Sequence, residues 1–286
     1  MAKRFDRDLA YLFELQDEIT RTIGAAIEPE LLKFDRNRIV NQPQHNEDAY
    51  ELYQRGMWYL YRYTKEDSIE AKAFFRRALA IDPHYPQATA FLAIMVCNAA
   101  YLGWVEDADS GFAEAYELAQ RAVALDARDP NAHFALGLVC MWTSRSDRAV
   151  AAFEEAIRLN PSFAAAHVLL GQVYLYAGRR QEAMEWAEKG IRLSPSDPRL
   201  FIWLVALAGA HYQMRHYAEA VDAGRRSWAI NRNWPHGLRY VVAGLAQLGK
   251  VEEAQAPLAD LRRMDTNLVS ESESYRLYYA LTDCRA

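Results

Sequence analysis

Cysteine is scarce in this sequence, with Cys97, Cys140 and Cys284 among 286 residues. An odd number of widely spaced thiols does not fit a disulfide framework and favours a reducing compartment. We expect all three to be inert packing residues.

Long hydrophobic runs are also missing. The longest apolar stretch, 201–210, is about half of what a membrane-spanning helix needs. The N-terminus carries charged residues with no apolar stretch behind them, unlike a secretory signal. The sequence therefore predicts a cytoplasmic protein without a membrane anchor.

A strong excess of one charge sign is absent as well. The formal net charge is -5 at pH 7, and the arginines are spread along the chain. Proteins that bind nucleic acid concentrate basic charge on one face, so a direct nucleic-acid ligand is disfavoured. Hydrophobic residues make up 51% of the chain, which is typical of a folded protein.

Sequence motifs for catalysis are not found. The chain has no glycine-rich phosphate loop, no nucleophile elbow and no zinc-type spacing of Cys and His. Cyclase chemistry needs metal-binding carboxylates on a strand-rich scaffold, and no run of strands is predicted. We expect a non-enzymatic protein with no cofactor and no metal.

A period of 34 residues is what the sequence does contain. The set Gly137, Ala149, Phe153, Ala156 and Pro161 recurs 34 residues later as Gly171, Ala183, Ala187, Gly190 and Pro195. This is the period and residue order of the tetratricopeptide repeat, a pair of antiparallel helices. The small residues permit close helix crossing, and the prolines end the second helix.

Extending this frame in both directions predicts an all-α fold, a right-handed α-solenoid of about six helical hairpins. An insertion at 102–112 adds about ten residues to the second hairpin and should project as an acidic loop. The array is predicted at 46–268, with repeats at 49–85, 86–129, 130–163, 164–197, 198–234 and 235–268.

Two flanking segments are predicted to cap the array. Apolar residues recur at helical spacing from Leu12 to Ile27, which predicts an amphipathic helix that ends before Pro29. That helix and a polar linker make up 1–45. The segment 269–286 contains tyrosines and leucines suited to a C-terminal cap.

The N-terminal region resembles a recurrent junction in a bacterial family. The matching words are RFDRDL at 4–9, FELQDEIT at 13–20 and IEPEL at 27–31, and the stretch 198–220 is similar to a later region of the same proteins. The family comprises class III adenylate/guanylate cyclases and winged-helix transcriptional regulators that carry a TolB-like segment followed by tetratricopeptide repeats. The resemblance implies a regulatory repeat module, and none of the family's catalytic residues maps onto this sequence.

The first helix of each repeat is expected to line a concave inner face, the usual binding surface of such a solenoid. Counting from the small residues predicts an aromatic and aliphatic lining. The expected partner is an apolar or amphipathic peptide segment, and a basic clamp for a terminal carboxylate is disfavoured. The predicted groove residues are Tyr50, Tyr53, Met57, Phe91, Ile94, Asn98, Phe134, Leu138, Met141, Trp142, Val168, Gln172, Tyr176, Tyr212, Arg239 and Tyr240.

Several alternatives stay open for this surface. The groove residues could pack on neighbouring helices, or the chain's own terminal helix could fill the groove. The chain could also modulate a catalytic or DNA-binding domain supplied elsewhere. Exposed hydrophobic ends of the array would allow self-association into a homo-oligomer.

Histidines and an acidic group are the candidate metal ligands. His133 and His167 share a frame position in successive repeats, and packing is the favoured interpretation of both. The group Glu106, Asp107 and Asp109 lacks the ligand order of a calcium loop, so we expect a solvated loop there.

Overall fold

The computed structural model describes residues 48–264, so the predicted caps in 1–45 and 269–286 lie outside the described residues. All regular elements between these limits are α-helices, and the predicted all-α repeat fold is confirmed. None of these helices is long and apolar enough to cross a bilayer. The helices are α1 (Ala49–Leu60), α2 (Lys65–Ile81), α3 (Pro86–Tyr101), α4 (Ala108–Leu125), α5 (Pro130–Trp142), α6 (Ser146–Leu159), α7 (Ala164–Tyr176), α8 (Arg180–Leu193), α9 (Leu200–Gln213), α10 (Tyr217–Ile230), α11 (His236–Gln247) and α12 (Val251–Met264).

The described helices follow one another as helical hairpins and divide into two compact units. The first unit contains 48–166 together with 192–197, and the second contains 167–191 together with 198–264. Within the first unit α1 packs on α2, α3 on α4, and α5 on α6. Within the second unit α9 packs on α10, and α11 on α12.

The turn inside each hairpin contains one residue with left-handed backbone. Five of the six turns also have a hydrogen bond from an N–H to the carbonyl five residues earlier, such as Arg145 to Cys140 at 2.8 Å. This is the Schellman arrangement, which satisfies carbonyls at a helix C-terminus. The left-handed residues are Tyr63, Gly103, Ser144, Gly178, Arg215 and Gly249.

The connection from one hairpin to the next is stabilised by a different type of turn. Four second helices end at an extended Asp or Asn whose side-chain oxygen accepts the N–H two residues later, which is an Asx turn. The pairs are Asp82 with His84 at 2.9 Å, Asp126 with Arg128 at 2.8 Å, Asn160 with Ser162 at 3.0 Å, and Asn231 with Asn233 at 2.9 Å.

Glycines at the helix crossings explain the small residues of the repeat. A Cβ on Gly56 would lie 2.6 Å from the Phe75 ring. At Gly171 a Cβ would lie 2.7 Å from the carbonyl oxygen of Ala183, which is backbone and cannot move aside. Close crossing therefore depends on the absence of a side chain at these positions.

The expected acidic loop at 102–112 is wrong, because the connection between α3 and α4 covers only 102–107. The Asp107 carboxylate accepts the N–H of Ser110 at 3.1 Å and so caps α4, while Asp109 lies in the first turn. Acidic residues stabilise that end of a helix. Most of the inserted residues thus lengthen the helices.

Candidate peptide-binding surface

Seven predicted groove residues lie in the interior and not on an open face, so the prediction is wrong for them. The cause is clearest at α3, which packs against α2, α4 and α5 and is therefore apolar on several sides. Helical spacing does not identify one exposed stripe on such a helix. The buried residues are Met57, Phe91, Ile94, Phe134, Leu138, Met141 and Val168.

The other nine predicted groove residues reach solvent at least in part. Tyr50 is 45% exposed and Tyr176 is 56% exposed, and the remaining seven are half-buried. Six of the nine are aromatic, so the accessible part of the prediction is mainly rings. The nine are Tyr50, Tyr53, Asn98, Trp142, Gln172, Tyr176, Tyr212, Arg239 and Tyr240.

A stacked aromatic pair lies at the ends of two first helices in the first unit. Tyr101 is the last residue of α3 and Trp142 is the last residue of α5. Their ring centroids are 3.7 Å apart with 20° between the planes, and both side chains are half-buried. We call this pair the Tyr101/Trp142 stack. The sequence prediction missed Tyr101, although its equivalent position at the end of a first helix could have identified it.

Two arginines in the first unit approach one tyrosine. The Arg145 guanidinium carbon lies 4.1 Å from the Tyr116 ring centroid, and Arg148 donates a hydrogen bond to the Tyr116 hydroxyl. Both arginine side chains are exposed, and neither has an ion-pair partner within 48–264. Cation–π contact thus orients charge that remains accessible to an anionic group. This Arg145/Arg148 pair was not predicted from the sequence.

Tyr53 belongs to a packed ring cluster in the first unit. Its ring centroid lies 6.0 Å from Phe75, 5.3 Å from Tyr85 and 5.9 Å from Phe91. Burial raises the pKa of Tyr85 to about 12, as expected for a phenol held in apolar surroundings. Tyr53 therefore packs on neighbouring helices, which is one of the alternatives that the sequence left open for the predicted groove residues.

Three tyrosines form a cluster in the second unit. The Tyr212 ring centroid lies 5.5 Å from Tyr217 and 6.1 Å from Tyr240. A Cβ at Gly209 would come within 2.8 Å of the Tyr240 hydroxyl, so the ring rests directly on α9. This cluster is half-buried and offers ring edges to solvent.

The two histidines considered as metal ligands have other contacts. His133 Nε2 lies 2.9 Å from the Ala127 carbonyl oxygen. His167 is fully buried, and its ring stacks on Trp186 with centroids 5.3 Å apart. In the described part of the chain, no group of three or more His, Cys, Asp or Glu side chains is placed to hold a metal ion.

The two cysteines in the first unit are buried thiols. Burial raises the pKa of Cys97 and that of Cys140. The thiolate is the reactive form, so both side chains are poor nucleophiles at neutral pH. Cys284 lies outside the described residues.

Comparison with a family model finds one match within the chain. A model described as tetratricopeptide repeat matches residues 143–198, which includes α6, α7 and α8. This part of the chain is thus similar to the tetratricopeptide repeat, and the described helical hairpins have an α-helical repeat fold.

Solved structures show the same fold. The Cut9–Hcn1 hetero-tetramer of the APC/C matches with a TM-score of 0.67 and 17% identity, over 89% of this chain and 46% of that chain. A Pseudomonas aeruginosa structure described as pilF matches with a TM-score of 0.55 and 21% identity, over 86% of this chain and 99% of that chain. A thermophilic TPR protein of Thermus thermophilus matches with a TM-score of 0.53 and 20% identity, over 74% of this chain and 99% of that chain.

A curated relative matches part of the chain. It is named "Putative adenylate cyclase 3" of Rhizobium meliloti (strain 1021) and is 32% identical over 148 residues. The match covers 52% of this chain and 25% of the relative. The chain thus aligns with about a quarter of that longer protein.

Proposed function

We propose that this chain is a non-enzymatic protein-interaction module that binds a polypeptide segment on the accessible side chains of its first helices. The observation that carries the proposal is the partial exposure of aromatic rings there, above all the half-buried Tyr101/Trp142 stack of the first unit. Aromatic anchors contribute large contact area at a small loss of conformational entropy. The repeat fold supports the same function, since helical-repeat proteins bind partners on extended surfaces.

The partner segment in this proposal is amphipathic. An apolar or aromatic side chain contacts the Tyr101/Trp142 stack, and a carboxylate meets the Arg145/Arg148 pair. The guanidinium groups are exposed donors without a carboxylate in the described residues, so an acidic partner adds charge complementarity. The segment is therefore expected to alternate apolar and acidic residues.

The proposal includes the setting in which binding takes place. The module acts in the cytoplasm, its array covers 46–268, and its partner is a protein or peptide. The net charge of -5 gives no support for a nucleic-acid ligand. Self-association would appear as a dimer in light scattering and would identify a second copy as the partner.

A second candidate function is regulation of a nucleotide cyclase or transcriptional regulator. The observation that favours it is the 32% identity to the Rhizobium relative over about half of the chain. In that function the repeats modulate a catalytic or DNA-binding domain supplied elsewhere. A cyclase assay with and without a separately supplied catalytic domain tests it, and activity from this chain alone would contradict the non-enzymatic proposal.

Affinity capture with surface variants tests the main proposal. Trp142→Ala and Tyr176→Ala each remove an accessible ring, so both should recover less of the partner identified by mass spectrometry. Gln120→Ala is a matched control, because this side chain is exposed on the second helix α4. Circular dichroism should be nearly unchanged in all three. If a ring substitution instead melts the helices, that ring is part of the core.

A further inference from the structure

The first described helix, α1, is buried on the side that faces away from α2. Leu52 faces α2, because it packs in one apolar cluster with Phe74 and Ala78. Gln54 follows Leu52 by two residues and therefore points about 200° away from it around the helix. Gln54 is nevertheless only 2% exposed. Of the described helices, α2 alone packs extensively on α1, so another part of the chain should cover Gln54.

α1 is also buried on the side that faces away from α3. Tyr53 faces α3, since its ring centroid lies 5.9 Å from that of Phe91. Arg55 follows Tyr53 by two residues and so points about 200° away from it. Arg55 is only 7% exposed. Gln54 and Arg55 thus define a covered side of α1 that faces neither α2 nor α3.

The charge of Arg55 indicates what this cover contains. The tetratricopeptide pattern has leucine directly before the glycine of the helix crossing, as at Leu136 and Leu170. In α1 the residue before Gly56 is Arg55. An arginine side chain keeps its charge in a protein, and a buried charge is strongly unfavourable unless a counter-charge accompanies it. The cover over Arg55 should therefore include a carboxylate.

The segment that precedes α1 has the residues that such a cover needs. Asp48 is the N-cap of α1, so the segment 1–47 is joined directly to this helix. The apolar stripe predicted from Leu12 to Ile27 would extend about 24 Å as a helix, and α1 is about 18 Å long. The range 12–27 contains one arginine and three carboxylates, which are those of Glu14, Asp17 and Glu18.

We propose that the predicted helix at 12–27 docks on the side of α1 that bears Gln54 and Arg55, and that one of its carboxylates pairs with the Arg55 guanidinium. The apolar stripe then excludes water from this side of α1, which strengthens the ion pair. The inference goes beyond the proposed function, because it assigns this surface to a segment of the same chain and closes it to a partner.

Hydrogen–deuterium exchange of the full chain, read by mass spectrometry, tests the docking. Ile19→Asp/Ile23→Asp places two charges in the predicted stripe, so exchange of the α1 amides should rise about tenfold or more. Exchange of α5 and α6 should be unchanged. Arg21→Asp/Ala25→Asp is the matched control, because each site is two residues further on and lies about 200° from the stripe.

A second set of variants tests the ion pair. Glu14→Gln/Asp17→Asn/Glu18→Gln should also raise exchange of the α1 amides, since it leaves the Arg55 guanidinium buried without its counter-charge. In an Arg55→Met background the same three substitutions should have much less effect, because coupled residues are not additive. Glu51→Gln should exchange like the wild type, because the proposed counter-charge comes from 12–27 and not from α1.

Three outcomes would overturn the docking of 12–27. The first is wild-type exchange of α1 in Ile19→Asp/Ile23→Asp, or an equal rise in α5 and α6. The second is exposure of α1 by Leu277→Asp/Leu281→Asp, which would assign the cover to the C-terminal segment. The third is faster exchange of α1 on dilution, which would assign the cover to a second copy of the chain. The ion pair is overturned if the three carboxylate substitutions act equally in the wild-type and Arg55→Met backgrounds, or if Glu51→Gln reproduces their effect.

Discussion

At the scale of single residues, the left-handed turn positions show what the sequence reveals and what it hides. Gly103, Gly178 and Gly249 mark three of the six turns, because glycine is the residue expected there. Ser144 and Arg215 adopt the same conformation without any signal in their identity. The residue type therefore predicts the left-handed residue in only three of the six hairpin turns.

Arg215→Gly should stabilise the chain. The Cβ of Arg215 crowds the following carbonyl oxygen at φ 63°, and glycine removes that contact. After the entropy that glycine adds to the unfolded chain, the expected gain is about 0.5–1 kcal/mol in the free energy of unfolding. Urea denaturation measures it as a higher midpoint at an unchanged slope. Gly178→Ala is the reverse control and should lower the midpoint, and a lower midpoint for Arg215→Gly would contradict the account.

His236 should make stability depend on pH. Burial lowers the pKa of His236 in the folded chain to about 3, whereas an unfolded histidine titrates near 6.5. Between these values the unfolded state binds more protons, so stability is lost as the pH falls below about 6.5. The loss should be about 1 kcal/mol per pH unit below pH 6.

The measurement is the urea midpoint at pH 7 and at pH 5. His236→Gln cannot titrate, so it should show a smaller difference between the two midpoints than the wild type. His84→Gln is the control, since His84 is exposed, and it should keep the wild-type difference. An unchanged difference in His236→Gln would show that other groups cause the pH dependence.

At the scale of helices, the repeat pattern predicted the helical pairing but not which side of each first helix reaches solvent. Val168 and Phe134 share the helical spacing of Trp142 and Tyr176, yet only the last two are accessible. A first helix covered on several sides gives no amphipathic signal. Exposure at the last turn, where Tyr101 and Trp142 lie, comes from the tertiary packing.

Gly171→Leu should destabilise the hairpin formed by α7 and α8. Even a Cβ at Gly171 would lie 2.7 Å from the Ala183 carbonyl oxygen, so a larger side chain must force the helices apart. The expected loss is about 1–3 kcal/mol or more. Thermal unfolding followed by circular dichroism measures it. Ala151→Leu is the control, because Ala151 is exposed on α6, and an equal loss in both variants would contradict the crossing argument.

At the scale of the whole molecule, the fold was more predictable than the surface. The 34-residue recurrence that starts at Gly137 and Gly171 specifies helix pairs, and the solved structures confirm that fold at identities of 21% or less. The Tyr116 contacts with Arg145 and Arg148 join residues about 30 positions apart, and no repeat pattern encodes them. The side chains proposed to bind a partner are therefore residues that the repeat pattern does not specify.

The most direct test of the central proposal is the dissociation constant of the captured partner segment, made as a synthetic peptide, for the wild type and for Trp142→Ala. If the Trp142 ring is a binding hot spot, the dissociation constant of Trp142→Ala should be higher than that of the wild type by about tenfold or more. Its helicity in circular dichroism should be unchanged. Gln120→Ala should keep the wild-type value. Equal affinity for the wild type and Trp142→Ala would contradict binding at the Tyr101/Trp142 stack.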